Sequence, residues 1–126
     1  MGDIIRVGCE KCGYNKEMNV GGGLLSINKD VIANIFSKED ISEFKKLAEE
    51  NLLGQYLMEN KVGYCKECHE LYSVPVLNYS KQGEAQERTV KKSCPQCNQE
   101  LDFSYDTKIC PKCSDELVHE SAGMWD

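Results

Sequence analysis

Eight cysteines are the residues of this sequence whose type and spacing indicate chemistry. They form four Cys-x-x-Cys pairs, which we call knuckles 1 to 4 in chain order: Cys9 and Cys12, Cys65 and Cys68, Cys94 and Cys97, Cys110 and Cys113. Two intervening residues let one tight turn direct both sulfur atoms at the same ion, and two such turns complete a tetrahedral site of four thiolates. With no cysteine left over, the sequence predicts two metal ions, each held by two knuckles.

Four thiolates accept either zinc or iron, so the ligands alone do not choose the metal. We expect two Zn²⁺ ions as structural cofactors and keep iron, in a rubredoxin-like electron carrier, as the alternative. Redox cycling of the thiols is a further alternative, but thioredoxin-like use needs a βαβ context that is missing here. If all eight cysteines are ligands, no coordination position remains for an activated water, and the sequence predicts a protein that is not an enzyme.

The residue after the second cysteine of each knuckle bears on the shape of the turn. It is Gly13, His69, Asn98 and Ser114 in turn, and the first three tolerate a positive φ better than most residues. Ser114 does not fit, so we expect a looser turn at knuckle 4. His69 could be a zinc ligand, but we interpret it as a turn residue because each site already has four sulfur atoms. His119 lies in a polar segment and is expected to be solvated.

The sequence around the knuckles repeats. Knuckles 2 to 4 are written CKECHEL, CPQCNQEL and CPKCSDEL, and knuckle 1 is written CEKCGY. These motifs resemble those of zinc-ribbon and rubredoxin-like proteins, over about half of the chain. The resemblance implies short antiparallel strands with the metal between two knuckle turns. It implies a fold rather than a function, because zinc ribbons serve many tasks.

Two pairings of the knuckles are open. Short loops cost less closure entropy, which favours knuckle 3 with knuckle 4 across a hairpin in which Leu101, Phe103 and Tyr105 alternate. Knuckle 1 would then share the other ion with knuckle 2. The rival pairing joins knuckle 2 to knuckle 3 and leaves the outermost knuckles together.

The favoured pairing predicts a small α+β, metal-stapled fold with two zinc-ribbon modules. The first would span residues 1–80 and carry a helical insertion at about residues 28–60, and the second would span residues 81–126 with the tail. Gly21 to Gly23 lack the Lys-Ser/Thr of a phosphate loop and predict a flexible turn.

Two helices are expected in the insertion. Asn28 or Ser26 can cap a helix from Asp30 to Phe36. A second helix begins near Ser37–Asp40 and runs towards Tyr56, unless Gly54 ends it.

The remaining segments predict strands and a loose tail. The segment from Glu70 to Tyr79 predicts a strand, at an edge or bulge because of Pro75. A polar loop and a returning segment, Arg88 to Ser93, follow it. The tail after Leu117 is expected to fray, with Trp125 either exposed or a docking anchor.

Composition limits the classes of function. The formal net charge is −6, and two ions held by eight thiolates would make it about −10. The first twelve residues lack the apolar core of a signal peptide, and no run of about 18 apolar residues exists. We therefore expect a cytoplasmic chain without a membrane span, in which thiols stay reduced.

The favoured function is a non-enzymatic protein-interaction adaptor or small regulator. Its partner surface is predicted on the helical insertion, through Leu53 and Leu57, if the second helix continues past Gly54. The alternative is a nucleic-acid-binding ribbon linked to transcription. Its basic face would comprise Arg88, Lys91, Lys92, Lys108 and Lys112. Negative charge opposes that alternative, because phosphate backbones repel it.

Overall fold

The computed structural model describes residues 2–22 and 28–125, which form six strands and two short helices. In chain order the elements are β1 (Gly2–Gly8), β2 (Asn15–Val20), α1 (Lys29–Ile35), α2 (Ser42–Glu49), β3 (Leu53–Cys65), β4 (Glu70–Lys81), β5 (Glu87–Lys91) and β6 (Val118–Trp125). Two sequence predictions involve residues outside this description, namely the turn at Gly23 and the cap at Ser26.

The first sheet joins segments from the two ends of the chain. Its strand order is β2-β1-β6, and both pairings are antiparallel. β1 pairs from Gly8 with Val118 to Gly2 with Trp125. The tail that was expected to fray is therefore strand β6, because the backbone of β1 satisfies its hydrogen bonds. That prediction was wrong.

The second sheet has the strand order β3-β4-β5 and is antiparallel throughout. The predicted strand from Glu70 to Tyr79 and its return are confirmed as β4 and β5, but β4 is the central strand, so the edge or bulge expected from Pro75 was wrong. Pro75 lies opposite Asn60 of β3, whereas the pairing with β5 begins only at Val76. The proline thus occupies a place where β4 has a neighbour on one side, as its missing N–H requires.

The helices cover one face of the second sheet. Asn28 caps α1 as predicted, and its side chain accepts a hydrogen bond from the Asp30 N–H at 2.9 Å. Phe44 of α2 is buried and makes edge-to-face contacts with Tyr56 and Tyr79, with ring centroids 5.7 and 5.4 Å apart. Within the described residues, neither helix is long and apolar enough to cross a membrane.

The second helix ends earlier than predicted. Asn51 has φ 57°, the Asn51 N–H bonds to the carbonyl of Ala48, and the Leu52 N–H bonds to that of Leu47. This is a Schellman ending, in which a left-handed residue turns the chain out of the helix. The prediction that the helix runs towards Tyr56 was therefore wrong. Gly54 instead lies at the start of β3, where a Cβ would come within 2.7 Å of the Ser80 hydroxyl.

The two sheets belong to two zinc-ribbon-like modules, one nested within the other. We call residues 2–22 with 105–125 the outer ribbon, and residues 53–103 the inner ribbon. The fold is a small α+β structure made mostly of strands. The chain between β2 and knuckle 4 thus contains both helices and the whole inner ribbon.

The segment from Leu101 to Tyr105 connects the two ribbons and is not the predicted hairpin. Its Asp102 makes an isolated bridge with Tyr64 of β3. Leu101 is buried beside the inner cysteines, and the Tyr105 ring stacks on that of Tyr64, with centroids 4.2 Å apart. Packing against β3 therefore replaces the expected local strand pairing.

This packing predicts the effect of a single methyl group. A Cβ on Gly63 of β3 would lie 2.9 Å from the Leu101 Cβ and 3.1 Å from the Phe103 ring. We expect Gly63→Ala to lower the free energy of unfolding of the metal-loaded protein by about 1–3 kcal/mol through overpacking. Gly8→Ala is the matched control, since its Cβ would meet nothing closer than 3.8 Å. Denaturant unfolding followed by circular dichroism measures both, and equal effects would contradict the packing argument.

Candidate metal centres

All eight cysteines fall into two groups of four. Knuckles 1 and 4 form the outer site, with Cys9, Cys12, Cys110 and Cys113. Knuckles 2 and 3 form the inner site, with Cys65, Cys68, Cys94 and Cys97. In each group the four sulfur atoms lie within 4.8 Å of one another. Two four-thiol groups that can hold metal ions are therefore present, as the spacing predicted.

The favoured pairing of knuckles was wrong, and the rival pairing is the one observed. Each site joins a knuckle from before residue 80 to one from after residue 81, so neither site lies within one predicted domain. The predicted pairing relied on loop entropy, which rises only with the logarithm of loop length. For these loops it favours the predicted pairing by only about 1 kcal/mol. Burial of a single leucine side chain contributes more than that.

The sulfur geometry fits a tetrahedral ion. Metal–sulfur bonds of about 2.3 Å place the four sulfurs of a tetrahedron about 3.8 Å apart. In the outer site the Cys9–Cys113 and Cys12–Cys110 Sγ distances are both 3.5 Å. In the inner site the Cys65–Cys97 distance is 3.4 Å and the Cys68–Cys94 distance is 3.8 Å. A small ion fits each group with little movement of the thiols.

The knuckle turns share one backbone conformation. φ is 79° at Gly13, 50° at His69, 61° at Asn98 and 65° at Ser114. The expected looser turn at Ser114 was wrong: its N–H bonds to the Cys110 carbonyl at 2.9 Å, as the Gly13 N–H does to that of Cys9. Closing the turn around two ligands outweighs the modest cost of a left-handed serine.

Backbone donors and crowding shift the thiol pKa values in opposite directions. Hydrogen bonding to the Cys12 backbone lowers the pKa of Cys9 to about 7. Burial raises that of Cys94, but backbone donors of Cys97 and Gln96 outweigh it and bring its pKa to about 6. Burial and the neighbouring thiols raise the pKa of Cys68 to about 12. Without metal, burial and the neighbouring thiols thus keep some thiols of a group protonated, and a bound dication would favour their ionisation.

The histidines lie outside both groups of four. The Nδ1 of His69 is 3.2 Å from the Tyr64 hydroxyl, and the residue has the turn conformation that we predicted for it. His119 is exposed, as expected, and its Nε2 lies 2.7 Å from the Thr107 carbonyl.

The two sites differ in exposure. Each has two buried cysteines, but the other two are exposed in the outer site, at Cys12 and Cys113. In the inner site the corresponding residues, Cys68 and Cys97, are half-buried. The outer site is thus more open to solvent.

Glu70, which the sequence analysis did not single out, lies where the two ribbons meet. Its carboxylate accepts a hydrogen bond from the Tyr14 hydroxyl and lies 3.7 Å from the Lys16 ammonium and 4.0 Å from that of Lys112. Lys112 also reaches the Cys68 carbonyl at 3.4 Å. Burial and this carboxylate raise the pKa of Tyr14, which keeps the phenol protonated as a donor.

A leucine follows three of the knuckles in the repeat, and its role was also missed. Leu71, Leu101 and Leu117 are all buried. Leu101 packs beside the inner site, whereas Leu71 and Leu117 both pack beside the outer site. The recurrence of leucine in CHEL, NQEL and SDEL was the signal that could have identified these core positions.

The predicted basic residues are engaged in local contacts. Arg88 pairs with Glu43 and lies 3.3 Å from Glu84, and the ammonium of Lys112 is near Glu70. Lys91 and Lys92 lie over the rings of Phe103 and Phe36. Lys108 is exposed, and its backbone N–H bonds to Asp106.

The leucines of the predicted partner surface lie on β3 rather than on a helix. Leu53 packs against the core formed by the helices and the second sheet. Leu57 is 46% exposed and pairs with Asn78 of β4.

Comparisons with protein families, with curated proteins and with solved structures found no match to this chain.

The observed pairing predicts how mutations spread between knuckles. Because knuckles 2 and 3 share one site, Cys94→Ser is expected to disorder the turn around Cys65 and Cys68. The signals of Cys65 and Cys68 should change more in this variant than those of Cys9. Heteronuclear NMR of the metal-loaded variant, with cysteine Cβ shifts as the reporter of ligation, measures this. Cys113→Ser is the matched control and should move the Cys9 signals first. A Cys94→Ser spectrum altered mainly at Cys110 would contradict the pairing.

Proposed function

We propose that both groups bind Zn²⁺ as structural ions and that the chain is a non-enzymatic protein-interaction module. The observation that carries the proposal is the closed set of four thiols at each site, all within 4.8 Å of one another. Four sulfur ligands are typical of structural zinc, whereas catalytic zinc keeps one position for water or substrate. Zinc is preferred to iron because the CxxCGY form typical of rubredoxins is present only at Cys9.

Zinc binding would add folding free energy that the small cores do not provide. The described core is divided among three small clusters, two of which include cysteines of the sites. Small cores give small folding free energies, and structural metal ions commonly supplement them. Zinc in such a chain stabilises the folded state and takes no part in converting a substrate.

A partner surface is proposed around Leu57. This side chain borders a groove of about 600 Å³ lined by Gly54, Gln55, Tyr56, Asn78 and Glu87. An exposed leucine beside a groove at the end of a sheet suits a protein partner. Nucleic acid is the less favoured partner, because the chain carries a net charge of −6 and four of its predicted basic side chains lie against acidic or aromatic neighbours.

Metal analysis and metal removal test the structural role. We expect two zinc ions per chain in colourless, aerobically purified protein. A strong chelator should abolish the folded NMR spectrum, and added Zn²⁺ should restore it, because ligation supplies on the order of 10 kcal/mol in small zinc-finger peptides. One ion per chain, a red iron-loaded sample, or a folded spectrum after complete metal removal would each contradict the proposal.

The partner surface has its own test. Leu57→Glu places a charge on an exposed position and is expected to leave fold and zinc content intact while abolishing partner binding. Met124→Glu is the control, since Met124 is 66% exposed on β6 of the other sheet. Affinity capture from the native host and light scattering measure binding and self-association. Unchanged profiles for Leu57→Glu, or equal losses for both variants, would exclude this surface.

A further inference from the structure

The core of the outer ribbon contains a residue of the inner ribbon. Leu71 belongs to β4, three residues after knuckle 2, and is fully buried. It lies in one cluster with residues of the outer ribbon: Val7, Cys9, Met18, Cys110 and Leu117. Leu71 thus packs beside the outer site, although it belongs to the hairpin that carries half of the inner site.

No described residue of the outer ribbon belongs to the buried cluster at the inner site, although Lys16 of β2 lies over the ring of Tyr72, which packs against that cluster. The buried cluster at the inner site comprises Cys65, Val74, Cys94 and Leu101, with Tyr72 and Phe103 packed against it. All of these lie within residues 53–103. The remaining cluster joins the helices to β3 and β4. The described buried side chains around the inner site therefore all come from the inner ribbon.

Polar contacts also join the two ribbons. Knuckles 1 and 4 both rest on the hairpin of β3 and β4, through Tyr14 to Glu70 and through Lys112 to the Cys68 carbonyl. β2 also rests on it, because Lys16 donates to the Leu71 carbonyl. The hairpin thus holds the two halves of the outer ribbon next to each other. Once the hairpin is formed, the two halves need not find each other across a flexible loop that spans most of the chain.

From these contacts we propose that the two sites load with metal in a fixed order, the inner site first and the outer site after it. The inference rests on the proposed metal-binding role. An ion at the inner site orders the β3–β4 hairpin, and the ordered hairpin then presents Leu71, Glu70 and the Cys68 carbonyl to the outer ribbon. Without that platform, the cluster that knuckles 1 and 4 share lacks Leu71, and the two ends must meet across an unfolded chain.

Thermodynamic linkage makes the proposal measurable. The coupling factor between two sites is the same in both directions. With the outer site disabled, the inner site should therefore bind with the affinity of the first step in the unmodified protein. With the inner site disabled, the outer site should bind more weakly than in the second step, by the full coupling factor.

Zinc titration of the full chain against a chromophoric chelator tests this order. The Cys110→Ser/Cys113→Ser variant should bind one ion within about threefold of the first-step affinity. The Cys94→Ser/Cys97→Ser variant should bind its ion at least tenfold more weakly than the second step. An outer site that keeps its second-step affinity in the second variant would overturn the proposal.

A variant that retains all eight cysteines separates coupling from ligand loss. Leu71→Ala should lower the second-step affinity at least tenfold and leave the first step within about threefold. Leu77→Ala is the matched control, because Leu77 is equally buried on the same strand but packs in the cluster under the helices. It should leave the second step unchanged. Equal second-step losses for both leucines, or no loss for Leu71→Ala, would overturn the assignment to Leu71.

One further measurement locates the first ion directly. With one equivalent of Zn²⁺, alkylation and peptide mapping should find knuckles 2 and 3 protected and knuckles 1 and 4 modified, with fully loaded protein as the reference. Protection of knuckles 1 and 4 would overturn the order. If the unmodified protein bound no zinc at all, the proposed function itself would fail; two ions bound independently would contradict only the order.

Discussion

The crowding of four thiols at each site is the constraint on which this structure depends. Four sulfur atoms within 4.8 Å of one another cannot all ionise in isolation. Burial and the neighbouring thiols raise the pKa of Cys68 to about 12, whereas backbone donors bring that of Cys94 to about 6 despite burial, so the thiols of one site ionise at very different pH. A divalent ion would favour ionisation of all four thiols, so the turns that crowd the sulfur atoms together suit the binding of a cation.

The nested arrangement follows from where the turns lie along the chain. The inner ribbon is continuous in sequence, whereas the outer ribbon is assembled from both ends. A divided module needs a surface on which its halves can meet, and the β3–β4 hairpin provides it through Leu71 and Glu70. The polar junction also fixes orientation, since a half-buried carboxylate contacted by Tyr14, Lys16 and Lys112 accepts few alternative arrangements.

How much the sequence could reveal depended on the range of the interaction concerned. Local signals worked: the spacing of the cysteines predicted two groups of four, Asn28 predicted a cap, and the strand through Pro75 was found. The prediction of the knuckle pairing failed, because loop entropy favours the other choice by only about 1 kcal/mol, less than the burial of one leucine such as Leu71 contributes. The end of α2 failed for a different reason. Helices usually end at a glycine in the left-handed conformation, which favoured an end at Gly54, but here Asn51 adopts that conformation.

The antiparallel pairing of β1 with β6 has a mechanical consequence. Gly2 lies opposite Trp125, so the two ends of the described chain are neighbours on one sheet. A pulling force applied at these two points loads the hydrogen bonds between the strands one after another, as in opening a zipper, rather than all together in shear. The first sheet would therefore yield to low tension and separate knuckle 1 from knuckle 4. The inner ribbon, which lies in the chain between those points, would come under tension only after the first sheet has opened.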